Sequence, residues 1–162
     1  MDRRLRIGLS ALVTGTAASV VSTAALALLA QEEGKSPFQP TNATSHWLHG
    51  NRAASNREPD TAHTLIGYAT HHASALFWAV PFEAWIAARP PRTAATLLRD
   101  ACAMSAIAAV IDYGVTPRRL TPGWELVLSK RAIMATYGAM ALGLAAGALV
   151  ARAWLGNNAT SA

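Results

Sequence analysis

Two adjacent histidines, His71 and His72, lie in the middle of an apolar segment that covers about residues 63–88. Ionisable side chains at membrane depth are costly and rare, so such a pair is a functional-site hypothesis by default. Successive residues of a helix point about 100° apart, so the two rings cannot share one partner. We expect one ring to point into a helical bundle and the other to face a further helix, a subunit or lipid.

Other polar residues lie towards one end of the same predicted bundle. His63 begins the second apolar segment, Asp112 lies near the matching end of the third, and Tyr137 lies on that side of the fourth. The sequence therefore predicts a polar pocket that opens to one face of the membrane and binds a ligand, an ion or a partner. The candidate residues of this pocket are His46, His49, His63, Tyr68, His71, His72, Asp112, Tyr113, Arg118 and Tyr137.

A metal site is one interpretation of these residues. His46-x-x-His49 and Asp60-x-x-His63 place their members within reach of one another at helical spacing. With Asp112 they could hold a zinc or copper ion, and we name His63, His46 and Asp112 as candidate ligands. A bis-histidine haem is a second interpretation. It would need a loop histidine to fold inward or a second copy of the chain, because the other three predicted helices contain no histidine.

Each polar residue also has a purely structural explanation. The histidine pair could hydrogen-bond to hydroxyl groups or carbonyl oxygens of neighbouring helices. Asp112 could form an ion pair with Arg118, Lys130 or Arg131. Glu83 could pair with Arg89 or Arg99 at the membrane surface. No Gly-x-Ser-x-Gly elbow and no phosphate-binding glycine loop occurs in the sequence, so we expect no enzymatic activity.

The elements that must position these residues are four long apolar segments. The chain is 52% hydrophobic, and its charged residues fall in blocks between those segments. A helix needs about 20 apolar residues to cross the hydrocarbon core of a bilayer. We predict an all-α integral membrane protein, a single domain over residues 1–162 whose four transmembrane helices form an up-down bundle. The predicted helices cover about residues 7–30, 63–88, 93–115 and 122–154.

The segments between these helices are also assigned. Residues 31–62 are expected to form a structured extramembrane loop with a short interfacial helix, and residues 156–162 a flexible tail. Pro90 and Pro91 predict a sharp turn after the second helix. The first helix is expected to be retained, because its apolar run is longer than that of a signal peptide.

Basic residues mark the ends of the predicted helices. Arg3, Arg4 and Arg6 precede the first one, and the formal net charge of the chain is +5. This placement is typical of membrane topology signals, and we expect no nucleic-acid binding. The predicted location is a bacterial inner (plasma) membrane, with several passes and with the N- and C-termini in the cytoplasm.

Stripes of small residues predict close helix packing. Ala11, Gly15 and Ser19 recur every four residues along the first helix, and Gly143 and Gly147 have the same spacing on the fourth. Small side chains let two helices approach closely within a bilayer. Besides the lipid bilayer itself, the expected partners are therefore another membrane protein or a second copy of this chain, bound through these stripes.

Two functions remain open on the sequence alone. The first is a non-enzymatic membrane protein whose outward pocket binds a partner, an ion or a small ligand, in an accessory or interaction role. The second is a membrane redox protein that binds a metal ion or haem through the histidines of the second helix.

Overall fold

The chain is all-helical in the computed structural model, which describes the backbone of residues 1–89 and 93–160 and the side chains in these ranges up to residue 155. The predicted turn at residues 90–92 and residues 161–162 of the predicted tail lie outside this description. The six α-helices are α1 Arg3–Glu32, α2 Gln39–Thr44, α3 His46–His49, α4 Ile66–Ala87, α5 Ala94–Val110 and α6 Lys130–Thr160. Short 3-10 or π turns cover Asn51–Ser55, Thr61–Leu65, Ile111–Val115, Arg118–Leu120 and Trp124–Leu126.

Three helices are long and apolar enough to cross a membrane. They cover Arg3–Glu32, Ala94–Val115 and Lys130–Leu155, and they indicate a membrane protein. The helix α4 is not among these three, although it has 22 residues. Its polar residues, among them His71, His72 and Glu83, lower its mean hydropathy. We predicted four membrane-spanning helices, and three of them have the length and composition that crossing a membrane requires.

The first and last helices pack directly against each other. A methyl group on Gly143 would lie 2.6 Å from Cα of Ala18, and one on Gly147 would lie 2.6 Å from Cα of Thr14. The two helices run antiparallel, because later residues of α6 meet earlier residues of α1. Gly143 and Gly147 therefore pack against α1 of the same chain. We had also considered that they bind a second copy of the chain.

Polar pairs join α1 to α4. The Thr14 hydroxyl donates a hydrogen bond of 2.5 Å to Oε1 of Glu83, and Oγ of Ser22 lies 2.8 Å from Nε2 of His71. We expected Glu83 to pair with Arg89 or Arg99 at the membrane surface, and the structure shows it buried, with a hydrogen bond from Thr14 of α1. The polar groups that lower the hydropathy of α4 are thus partly satisfied by α1.

The segment between α1 and α4 folds back onto the long helices. All residues of α2 are buried, and Asn42 is fully inaccessible. Its side-chain amide donates to the carbonyl oxygens of Asn56 (3.1 Å) and Glu58 (3.0 Å) and accepts a 2.6 Å hydrogen bond from the Thr64 hydroxyl. The loop predicted for residues 31–62 is therefore structured, and its helix is a buried part of the fold.

The last helix begins later than predicted. Helix α6 starts at Lys130 because Ser129 caps it: its hydroxyl accepts a hydrogen bond from the backbone N–H of Ala132 (3.3 Å). Glu33 at the end of α1 accepts bonds from the backbone N–H (3.0 Å) and hydroxyl (2.5 Å) of Ser129. These bonds lower the pKa of Glu33. At its other end, α6 continues to Thr160, through residues predicted as a tail.

The close approach of α2 to α4 gives a test of the fold. A methyl group on Gly67 would lie 1.9 Å from the carbonyl oxygen of Thr41, so the backbone would have to move. We expect Gly67→Ala to destabilise the protein by about 1–3 kcal/mol, the usual cost of overpacking a core. The free energy of unfolding in detergent measures this.

Gly138→Ala is the matched control, because no heavy atom lies within 4 Å of a methyl group there. This substitution should be neutral or stabilise α6 by up to about 1 kcal/mol through helix propensity. Equal stability of the two variants would contradict the packing of α2 on α4.

Candidate ligand-binding site

A cavity of about 620 Å³ lies between α4, α6, the turn Ile111–Val115 that follows α5, and the short segments that fold over the ends of the long helices. Three tryptophans line it, and we call it the tryptophan cavity. Aromatic and apolar walls with a few convergent polar groups are typical of small-molecule sites. Its polar lining residues are Thr44, Thr70, His71, Ser74, Asp112, Thr116 and Tyr137, and its apolar ones include Trp47, Phe77, Trp78, Ile111, Leu120, Pro122, Trp124 and Met140.

Hydrogen bonds between distant segments hold two of the tryptophans. The Trp124 indole N–H donates to the Thr44 hydroxyl (3.1 Å), and the Trp47 indole N–H donates to the carbonyl oxygen of Thr121 (2.8 Å). Gly123 makes this possible, since it has a φ of 84° and lies against the backbone of Ala43. Trp124 is only 3% exposed, so its ring is a fixed wall of the cavity.

His71 is the imidazole that reaches this cavity. The hydroxyl oxygen of Ser22 lies 2.7 Å from the carbonyl oxygen of Ala18. Nε2 of His71 lies 2.8 Å from the same hydroxyl oxygen, and the tautomer of the ring decides which of the two groups donates this hydrogen bond. The His71 ring also meets Trp124 edge to face, with ring centroids 5.5 Å apart.

Asp112 and Tyr137 form the second polar group of the cavity. The Tyr137 hydroxyl donates a 2.6 Å hydrogen bond to Oδ2 of Asp112, across the contact between α5 and α6. The Tyr137 ring lies 5.7 Å from Trp124, and Trp124 in turn contacts His71. An imidazole ring and a carboxyl group thus border one aromatic cavity.

The remaining residues of α4 and α5 that we predicted lie elsewhere. His72 stacks on Tyr68 with ring centroids 5.8 Å apart, on a different side of α4 from His71. Tyr113 lines a separate, mostly apolar cavity of about 650 Å³ between α5 and α6, which it shares with Tyr137. Only His71, Asp112 and Tyr137 of the ten predicted residues line the tryptophan cavity.

The loop histidines form no part of this cavity. His63 donates from Nδ1 to Oδ2 of Asp60 (2.9 Å), and its ring lies 4.8 Å from that of His49. His46 is 4% exposed and donates from Nδ1 to the carbonyl oxygen of Ala43 (3.0 Å). Arg118 is exposed. In residues 1–89 and 93–160, no three His, Cys, Asp or Glu side chains are grouped so that they could hold a metal ion. The candidate ligands His46, His63 and Asp112 are not brought together.

The tryptophans are the residues that sequence reasoning missed. None of them is among the predicted site residues, yet Trp78 and Trp124 are buried and Trp47 is half-buried. The sequence indicated a buried position for Trp78 alone, because it lies in the middle of a helix, far from either predicted membrane surface.

No family model, curated protein or solved structure matches the chain.

The bond between Tyr137 and Asp112 can be tested by removing one hydroxyl group. Tyr137→Phe keeps the ring and leaves Asp112 without this donor. Hydrogen bonds to charged groups contribute about 1.5–3 kcal/mol, so we expect a loss of stability in this range. Tyr68→Phe is the control, because the Tyr68 ring stacks on His72 and no bond from its hydroxyl is seen among the described residues. If both variants unfold at the same temperature in detergent, the bond does not stabilise the fold.

The contact between Asp60 and His63 predicts that the stability of the fold depends on pH. The backbone N–H of His63 donates to Asp60 at 2.5 Å, and together with the His63 ring it lowers the pKa of Asp60 from 3.8 to about 2. A carboxyl whose pKa is lowered by folding stabilises the fold while it is ionised. This contribution is therefore full above pH 4 and is lost as the pH falls through 2.

We expect the thermal stability of the protein to fall between about pH 4 and pH 2, and to fall less in Asp60→Asn. Asparagine still caps the following turn but does not titrate. The same pH profile for both proteins would show that Asp60 is not the group responsible.

Proposed function

We propose that this chain is a small, non-enzymatic ligand-binding protein of a bacterial inner membrane, and that its tryptophan cavity holds an amphipathic small molecule. The single observation that carries the proposal is the convergence of His71 and Asp112 on a cavity walled by Trp47, Trp78 and Trp124. The rings fit an apolar body, and the two polar groups fit a head that both donates and accepts hydrogen bonds.

The proposal includes α4 as a fourth transmembrane helix, so that the four long helices form an up-down bundle. The bonds from Thr14 to Glu83 and between Ser22 and His71 support it, because they give α4 partners inside the bundle. Polar side chains in a membrane helix are tolerated when they face the bundle interior and are paired.

The proposed orientation places both termini in the cytoplasm. The antiparallel packing of α1 on α6 supports a common side for the two ends. Arg3, Arg4 and Arg6 lie directly before the first span, where basic residues act most strongly as cytoplasmic signals. The tryptophan cavity then lies towards the outer face, because Trp47 and Trp124 belong to segments at the opposite end of the bundle.

Native mass spectrometry of the protein, purified in a mild detergent, tests the proposal. The wild-type chain should carry a small-molecule adduct that extraction and mass analysis can identify. Ser74→Phe should lose the adduct, because Ser74 lines the cavity and a phenyl group would fill part of it. Asp112→Asn should weaken the retention of the adduct by removing the carboxyl group of the head site.

Ala69→Phe is the matched control. Ala69 is exposed on the same helix and does not line the cavity, so this variant should keep the adduct. Equal retention by Ser74→Phe and Ala69→Phe would place the adduct outside the cavity. A bare wild-type protein would contradict the proposal, and an adduct with the mass of a metal ion or haem would favour a redox protein instead.

A further inference from the structure

Four arginines line one cavity at the other end of the bundle. Arg3 and Arg6 come from the start of α1, Arg89 follows the end of α4, and Arg152 comes from the last part of α6. The cavity has a volume of about 520 Å³, and we call it the arginine cavity. It is separate from the tryptophan cavity, and its side of the membrane rests on the orientation proposed above.

The charges of this cavity are unbalanced. Glu83 is the one acidic residue among its described lining residues, and it already accepts the hydrogen bond from Thr14. Four guanidinium groups thus share a small space with one carboxyl group. Like charges that border one cavity repel each other, so a bound anion would stabilise this end of the fold.

The lining also indicates the chemistry of that anion. Arginine presents a planar fork of N–H groups that matches the oxygens of a phosphate group. Ile7 and Ile86 add apolar walls, and Ser10 adds a hydroxyl group. Arg89 is held by the ring of Trp85, which lies 4.9 Å from its guanidinium carbon.

We propose that the arginine cavity binds a phosphate group, supplied either by the head group of an anionic phospholipid or by a free phosphate. Arg3 and Arg6 begin the first span, and Arg152 lies near the end of the last one, so the cavity is at the level of lipid head groups. Basic pockets between membrane helices on this side bind anionic head groups in general. A mixed polar and apolar lining fits a head group together with the start of its acyl chains.

Retention of phosphatidylglycerol over phosphatidylcholine, measured by native mass spectrometry of the full chain, tests the proposal. The double variant Arg6→Gln with Arg152→Gln should bind phosphatidylglycerol at least tenfold more weakly than the wild type. Arg4→Gln is the matched control, since Arg4 is an exposed arginine of the same helix that does not line the cavity. Equal loss in Arg4→Gln would show a general effect of surface charge and would overturn the proposal.

A second measurement uses the wild-type protein alone, so that it does not depend on the folding of a variant. Inorganic phosphate and glycerol 1-phosphate should each raise the unfolding temperature in detergent, whereas glycerol should not. Phosphatidylglycerol vesicles that displace the free phosphate assign a lipid as the natural source, and vesicles that do not displace it assign a free phosphate. No preference for phosphatidylglycerol together with no effect of phosphate would overturn the proposal.

Discussion

The hydrogen bonds of one buried side-chain amide, that of Asn42, hold together the segment between α1 and α4. Asn42 is inaccessible to solvent, and a buried amide is costly unless its donors and its acceptor are satisfied. It meets this constraint by bonding to Asn56, Glu58 and Thr64, which belong to the far part of the same loop. The loop is therefore closed on itself, and α2 is held against α4. Thr44, which accepts the bond from Trp124, lies on this same helix α2.

The same principle explains how a polar helix fits among apolar ones. Helix α4 contains ionisable groups that would be costly against lipid. His71 and Glu83 face α1, where Ser22 and Thr14 are their partners. His71 also borders the tryptophan cavity, so one side chain joins two helices and presents a polar group to a ligand. A structural role and a binding role are therefore compatible at this residue.

Some of the contacts between helices could be predicted from the sequence, and others could not. Close contacts between helices were predictable at Gly143 and Gly147, because a small side chain leaves space for a neighbouring helix whatever that neighbour is. The different directions of His71 and His72 followed from the helical repeat alone. The role of Trp124 was not predictable, because its partner Thr44 is distant in the sequence and both lie in short, irregular segments. A local sequence pattern does not indicate a contact between residues that are so far apart in the chain.

The packing of α1 on α6 has a consequence for the order in which the chain is completed. Helix α1 is synthesised before α6, and its backbone packs against α6 at Gly143 and Gly147. Until α6 has been made, the α1 backbone at Thr14 and Ala18 has no helix packed against it. During this interval, α4 is the long helix that can already bond to α1, through Glu83 and His71. The contact between α1 and α6 can form only after translation of α6, and a chain truncated before residue 130 would keep only the α4 side of this packing.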